Sequence, residues 1–186
     1  MKECSATHAV DIAGLHRDLP LFEVAQGTRI AVLNILGDTQ LVEAAARALG
    51  DKLADVDYRV LVTAEAKSIP LIHALSVVTG KPYLVLRKNY KPYMGDALAA
   101  QTLSITTGQP QTLYLDAKDR ETVAGAPIVL VDDVISSGST LKAMRTIMDE
   151  AGATVTAEAA ILTEGERESW RNVIALGHLP IFTDED

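Results

Sequence analysis

The stretch that most constrains this chain is Ile128–Thr140, IVLVDDVISSGST. Ile128 to Val131 read as a fully apolar strand, and the strand runs directly into two adjacent carboxylates, Asp132 and Asp133. Such a strand must be covered on both faces, which directs the chain toward helices packed on a parallel sheet. Ser136-Ser137-Gly138-Ser139-Thr140 then places hydroxyls and a glycine where a helix begins. Carboxylates at a strand end can accept hydrogen bonds from a vicinal diol. The N–H groups of a first helical turn, with the helix dipole, favour a phosphate. Gly138 permits the close approach or positive φ of an anion-binding nest. A diol acceptor beside a phosphate cradle describes a site for ribose 5-phosphate. Taken alone, SSGST is equally an ordinary capped helix after a serine-rich turn, and it is neither a GxxxxGK[ST] loop nor a GxGxxG loop.

The rest of the chain alternates strand and helix signals. Asp38 and Thr39 can cap a helix with apolar residues at Leu41, Val42, Ala45, Ala48, Leu49 and Leu53. Tyr58–Thr63 reads as a buried strand. Ser68 and Pro70 open a helix through Leu71, Ala74, Leu75 and Val78 that stops at Gly80, and Pro82–Arg87 is another strand. Gln101–Thr107 and Gln111–Leu115 suggest a hairpin of two exposed strands around Gly108-Gln109-Pro110. The strand Pro127–Val131, a helix Thr140–Ala151 ending at Gly152, and a strand Thr154–Thr163 follow. A helix over Glu166–Leu176 and a short strand Leu179–Thr183 complete the reading. Residues 1–37 are expected to be irregular, apart from a short apolar stretch at Ile30–Leu36. This order implies right-handed βαβ units and a Rossmann-like parallel sheet flanked by helices. The length, 186 residues, and a hydrophobic fraction of 48% suit a single domain with a sizeable core.

A net charge of −8 argues against a broad nucleic-acid surface while leaving room for a local cationic pocket. No apolar run is long enough to span a bilayer, no signal peptide is evident, and a cytoplasmic location is expected. The lone cysteine, Cys4, reads as a bystander. His8, His16, His73 and His178 are scattered, with His73 expected as a satisfied core histidine. Trp170 and Phe182 are expected as packing residues, and Asp184-Glu185-Asp186 as a solvated tail.

Ligands of parallel sheets bind outside the carboxyl ends of the strands. Besides Asp132–Thr140, two other strand ends stand out. Glu65-Ala66-Lys67-Ser68 offers a turn with one cation, and Arg87-Lys88-Asn89-Tyr90-Lys91 concentrates three cations in a strongly acidic chain. Lys67, Arg87, Lys88 and Lys91 suit a polyanion, and Arg can engage it bidentately. Solvated charged turns are the plainer alternative for both segments.

At this point IVLVDDVISSGST resembles the phosphoribosyl pyrophosphate (PRPP) signature of type I phosphoribosyltransferases. The family's usual loop is closer to T-G-G-T, so Ser137-Gly138-Ser139-Thr140 departs by one glycine. The acidic–small–basic–Gly loop of the family matches Glu65, Ala66 and Lys67, with Ser68 in place of glycine. Arg87–Pro92 resembles the R-K-x-x-K-x-P stretch of the adenine, purine-type branch. The resemblance covers roughly residues 38–163.

It implies transfer of ribose 5-phosphate from PRPP to a base with release of pyrophosphate, most closely adenine-like purine salvage. Asp132 and Asp133 would hold the ribose hydroxyls and, with Arg87, take the catalytic positions. Ser136, Ser137, Gly138, Ser139 and Thr140 would hold the 5-phosphate. Glu65, Ala66, Lys67, Ser68, Arg87, Lys88 and Lys91 would hold pyrophosphate. Val134 and Ile135, the N-terminal segment and the tail after Leu162 would touch the base. Magnesium would arrive bound to substrate, with no dedicated protein ligand set. The resemblance also implies a single domain over 1–186, with a hood from about 1–37 and 164–186, a flexible lid over about 92–116, and a homodimer. Two departures bear on the base. The Ser-x-x-Glu-Tyr lid pattern of adenine enzymes is replaced by Ser104-Ile105-Thr106-Thr107-Gly108, and Phe-Arg-Asp before the first helix by Arg29-Ile30-Ala31. Hypoxanthine, guanine or xanthine as the base, a PRPP-sensing regulator without turnover, and an unrelated phosphate-binding α/β protein therefore stay open.

Overall fold

The computed structural model describes the backbone of residues 2–103 and 110–183 and the side chains of 6–102 and 111–183. The lid pattern at 104–108, the acidic tail 184–186 and the side chain of Cys4 lie outside the described residues. The chain opens with three strands, β1 (Lys2–Ile12), β2 (Leu15–Ala25) and β3 (Thr28–Ala31). An alternation of helices and strands follows: α1 (Thr39–Lys52), β4 (Val60–Ala64), α2 (Ile69–Thr79) and β5 (Tyr83–Leu86). A hairpin, β6 (Leu98–Leu103) and β7 (Pro110–Leu115), and a single turn, α3 (Arg120–Val123), come next. The chain then runs through β8 (Pro127–Ile135), α4 (Ser139–Glu150), β9 (Thr154–Glu164), β10 (Ile174–Leu179) and β11 (Phe182–Thr183).

The central sheet has the order β10-β9-β8-β4-β5, and every neighbouring pair in it is parallel. It is the α/β architecture expected from the sequence. Leu41, Ala45 and Leu49 of α1 and Leu71, Ile72 and Leu75 of α2 cover one face, packing with Leu61, Val129, Val131 and Ile161. On the other face Leu141, Met144 and Ile147 of α4 meet Val62, Ile128 and Leu130. Burial on both faces is the reason β4, apart from Thr63, and the Ile128–Val131 part of β8 read as apolar runs. The caps fall where the residue types place them. Asp38 accepts the N–H of Leu41 at 3.1 Å, and α2 ends at Gly80 in the left-handed region, φ 67°.

Four expectations are corrected. Residues 1–37 are not irregular: β1, β2 and β3 join β11 in a four-stranded antiparallel sheet of order β1-β2-β3-β11. The turn at Ala13-Gly14, with positive φ at both positions, closes the first hairpin. Its inward residues Ile12, Leu19 and Leu21 extend the core. This sheet is fastened to the rest through Arg17, which donates from Nε to Asp38 Oδ2 at 2.7 Å and from Nη2 to Oδ1 at 3.0 Å. The Arg17 guanidinium holds the Asp38 carboxyl below the ordinary range.

The helix expected over Glu166–Leu176 is a 3-10 turn at Arg167–Trp170 followed by the edge strand β10, which pairs parallel with β9. A free sheet edge beside β9 won over the weak helical pattern. The hairpin β6–β7 is half-buried, because Leu113 and Leu115 pack with the α4 residues Met144 and Ile147. His73 is exposed rather than in the core, edge-on to Tyr83 with ring centroids 5.9 Å apart. Among the described residues no helix is long and apolar enough to cross a membrane.

Candidate functional site

From β4 the chain steps outward to β5, then returns to β4's other side with β8 and continues to β9 and β10. The order in which the chain adds strands therefore reverses between β4 and β8, which stay parallel, and the crevice at their carboxyl ends is the natural ligand site. A cleft of about 310 Å³ opens there. Residues 64–68 at the end of β4 and after it, Lys88 after β5, Asp132–Val134 in the last part of β8, and Ser136, Ser137, Ser139 and Thr140 after it form its walls. Thr102 and Gln111 of the hairpin close one side.

The acidic pair sits on strand rather than loop, because β8 continues to Ile135. Its ladder with β4 ends at Val62↔Leu130, whereas its ladder with β9 runs on to Ile135↔Thr163. Past Leu130, one edge of β8 is thus freed from backbone pairing, and Ser68 takes over. The Ser68 hydroxyl accepts from Asp133 N at 3.0 Å and lies 2.7 Å from Asp132 Oδ1 and 3.1 Å from Asp133 Oδ1, donating its single proton to one of them. Asp133 is 6% exposed and pairs through Oδ2 with Lys67 Nζ at 2.9 Å; Nζ also donates to the Leu33 carbonyl at 3.3 Å. Asp132 opens part of its surface to the cleft. Burial first, and then the nearby Asp133 carboxylate, push its carboxyl up to about 7. Ser68, read from the sequence as a substituted glycine, is the residue that organises both acids.

Ser136–Thr140 wraps a small recess of about 30 Å³. Gly138 has φ 71° and stands as N-cap of α4 with no side chain to cap it; Ser139 N donates to Ser137 Oγ at 3.3 Å, and the next N–H groups of the first turn have no side-chain cap. A Cβ at Gly138 would lie 2.8 Å from Cη2 of Trp170, so this position needs glycine both for its conformation and for its space. Trp170 is held in turn by its Nε1, which donates to the Glu164 carbonyl at 2.8 Å.

The basic segments behave unequally. Lys67 and Lys88 line the cleft, whereas Arg87 and Lys91 do not. Arg87 Nε donates to Glu65 Oε1 at 2.6 Å, and the other carboxylate oxygen accepts from Lys88 N at 2.7 Å. Glu65 therefore splints the two strand-end loops to each other. The backbone of Arg87 also exchanges two hydrogen bonds with Tyr114, at 2.9 and 2.8 Å, tying β5 to the hairpin. Lys91 begins the 3-10 turn at Pro92–Met94.

A second, more apolar cavity of about 630 Å³ lies between the antiparallel sheet and the serine loop. Val24, Ile30, Trp170 and Ile181 line it, with Glu164 at its wall, and Ser136 and Ser137 belong to both this cavity and the cleft. Val134 lines the cleft and Ile135 is buried behind the loop; neither reaches this second cavity. Trp170, taken from the sequence as packing, and Glu164, not singled out there, are the residues that sequence reasoning missed. The available signal was a fourth strand end of the same grammar as the other three: an apolar strand closing on Thr163-Glu164-Gly165.

The model of the phosphoribosyl transferase domain matches residues 32–174. The hypoxanthine/guanine phosphoribosyltransferase of Methanocella paludicola is 33% identical over 115 residues, 62% of this chain and 56% of that protein. The enzyme of the same description from Methanocaldococcus sp. FS406-22 is 37% identical over 112 residues, 60% of this chain and 53% of that protein. The matched stretch thus spans little more than half the length of these relatives. Among solved structures, adenine phosphoribosyltransferase from Thermoanaerobacter pseudethanolicus superposes with a TM-score of 0.65 at 15% identity, covering 92% of this chain and 95% of that one. The APRTase of Giardia lamblia complexed with 9-deazaadenine gives 0.67 at 15% identity, covering 92% and 93%. At such identity the superpositions speak for the fold alone.

Proposed function

The chain belongs to the phosphoribosyl transferase domain family, and from that premise we propose that it transfers ribose 5-phosphate from PRPP to a ring nitrogen of a purine base and releases pyrophosphate. One observation carries the reading. In a single cleft at the sheet's switch point, an acidic pair, a glycine-hinged serine cradle at a helix start, and two lysines converge. Polar groups for a diol, a monophosphate and a polyanion are then side by side.

In this reading Ser136–Thr140 and the α4 N-terminus seat the 5-phosphate. Asp132 and Asp133 face the ribose hydroxyls. As the C1–O bond to pyrophosphate breaks, the ribose ring gains positive charge, which the acidic pair stabilises. The departing oxygen gains negative charge, which Lys67 and Lys88 stabilise. To engage the ligand, Lys67 must give up part of its pairing with Asp133, so donor binding exchanges one ion pair for another. Arg87 acts through Glu65 as a positioning residue for the loops. Two neighbouring carboxylates, one already engaged by Lys67, suit a magnesium ion that takes most of its oxygens from pyrophosphate and water. Such an ion would supply charge neutralisation of the leaving group. The base would occupy the second cavity, against Trp170 and next to the ribose across Ser136 and Ser137.

A second reading, PRPP binding without turnover, is favoured by one observation: residues 98–115 carry no acidic or basic side chain, so the hairpin brings no general base. The test is nucleotide formation from PRPP with adenine, guanine, hypoxanthine, xanthine and the pyrimidines, beside PRPP binding by calorimetry. The transferase reading expects a nucleotide from at least one purine. Tight PRPP binding with no nucleotide from any base leaves the second reading. Unchanged PRPP affinity after replacing Asp132 and Asp133 together with Asn removes the ribose assignment from both.

A further inference from the structure

Glu164 ends β9 at the wall of the second cavity and is 7% exposed as a residue. Among the described residues no hydrogen bond or ion pair engages its carboxyl, although its backbone is fixed on both sides. Its carbonyl accepts from Trp170 Nε1 at 2.8 Å, its ladder partner is Leu179, and the next amide, Gly165 N, donates to the Leu179 carbonyl at 3.1 Å. A buried carboxyl without a partner is costly, and it persists where something else completes it. Among the described residues the other acid of the cavity is Glu166, and no Lys, Arg or His lines the space to neutralise either. Burial alone pushes the Glu164 carboxyl up. The remaining surface is mostly Val24, Ile30, Trp170 and Ile181, of which Val24 and Ile181 are 39% and 46% exposed, apolar area that a flat ring would cover.

We infer that Glu164 reads the base: its carboxyl accepts a hydrogen bond from an exocyclic amino group, and because adenine carries that group at C6 and guanine at C2, the fixed carboxyl selects one of these two amino-purines over the other and over hypoxanthine and xanthine. The inference rests on the transferase reading for calling the ligand a base, but its geometry belongs to the cavity. An oxo group facing Glu164 would set acceptor against acceptor and leave both unpaired away from water, the situation in which a polar site rejects an analogue strongly. The hydroxyls of Thr28, Ser136 and Ser169 also line the cavity. Each can turn to donate or accept, so they serve either kind of base and leave the discrimination to the fixed carboxyl.

Trp170 is the sole tryptophan of the chain and lines this cavity, so its fluorescence reports occupancy without any turnover. The experiment titrates wild type, E164Q and E164A with adenine, guanine, hypoxanthine and xanthine, and measures PRPP affinity of each by calorimetry. Wild type is expected to bind one of the two amino bases at least tenfold more tightly than the other three bases. In E164Q, which keeps size but adds a donor, the preference is expected to fall below threefold with PRPP affinity unchanged. Melting curves verify that the variants are folded, and E164Q keeps the test decisive if E164A is not. Equal preference in wild type and E164Q overturns the inference, as does a wild type that binds all four bases alike or quenches with none. If PRPP neither binds nor reacts while the base preference and its loss in E164Q are seen, the transferase reading fails and the role of Glu164 stands.

Discussion

Replacing Asp132 by Asn is expected to stabilise the ligand-free protein at pH 8 and to do so much less at pH 5. Burial and the Asp133 carboxylate raise the folded-state carboxyl to about 7, against about 3.9 for an unfolded aspartate. Between those values the folded protein binds a proton that the unfolded chain releases. Stability therefore falls as pH rises through the window, and the penalty is complete above pH 7. At about 1.4 kcal/mol for each tenfold change in protonation preference, the full penalty is about 4 kcal/mol at pH 8 and about 1 to 2 kcal/mol at pH 5. Cleft water reaches part of the side chain, so about half of these values is expected. Asparagine copies the protonated acid: its Oδ1 can still accept from Ser68 and from Asp133 N, which Asp132 Oδ1 now serves at 2.7 and 2.9 Å. For a chain of this length the unfolding entropy near the midpoint is about 0.4 kcal/mol/K. The Asn variant should then melt about 5 °C above wild type at pH 8 and about 2 °C above it at pH 5. Paired thermal melts across pH 5 to 8 measure this, and other titrating groups cancel in the difference. A gap that is independent of pH, or that widens as pH falls, would refute the reasoning. The same variant is expected to lose PRPP affinity, since the group that strains the free protein is the one proposed to face the ribose.

Other substitutions test the remaining contacts. Ser68→Ala removes the hydroxyl that serves Asp132, Asp133 and the Asp133 amide, and should cost about 1 to 3 kcal/mol in urea unfolding; a loss below the error of the method would show the acids hold themselves. Gly138→Ala forces a side chain into a left-handed conformation and against Trp170, so PRPP affinity should drop at least tenfold by calorimetry, with a stability loss of about 1 to 3 kcal/mol. Lys67→Ala strips the buried Asp133 of its ion-pair partner and should cost about 1 to 3 kcal/mol in ligand-free stability as well as PRPP affinity. Glu65→Gln should leave unfolding within about 1 kcal/mol of wild type, because Arg87 is half-exposed, while weakening PRPP binding through the loosened loops.

Local chemistry made much of this site legible. The strand running into Asp132-Asp133, the hydroxyl-rich helix start and the cationic ends after β4 and β5 are each contiguous in sequence, and each keeps its meaning without its neighbours. The N-terminal strands were not legible, because their alternation is partial: β2 reads LHRDLPLFEVA, and its inward positions are defined only by the core they meet. The stretch after β9 was misread for a similar reason. Residues 166–176 have a helical apolar spacing, yet the edge of β9 offered a ladder that a lone helix could not match.

By itself the sequence determined the parallel sheet, the strand end that bears the acidic pair and the hydroxyl-rich start of the helix after it, because apolar runs, caps and glycine hinges act over a few residues. Only the tertiary structure decided which of the cations face the cleft. Arg87 is claimed by Glu65 and Lys67 by Asp133, pairings of residues 22 and 66 positions apart in the chain. It also decided that Ser68 completes the freed edge of β8, and that Glu164 and Trp170 close a cavity with residues from the opposite end of the chain. Those assignments depend on distances across the fold, which no local pattern encodes.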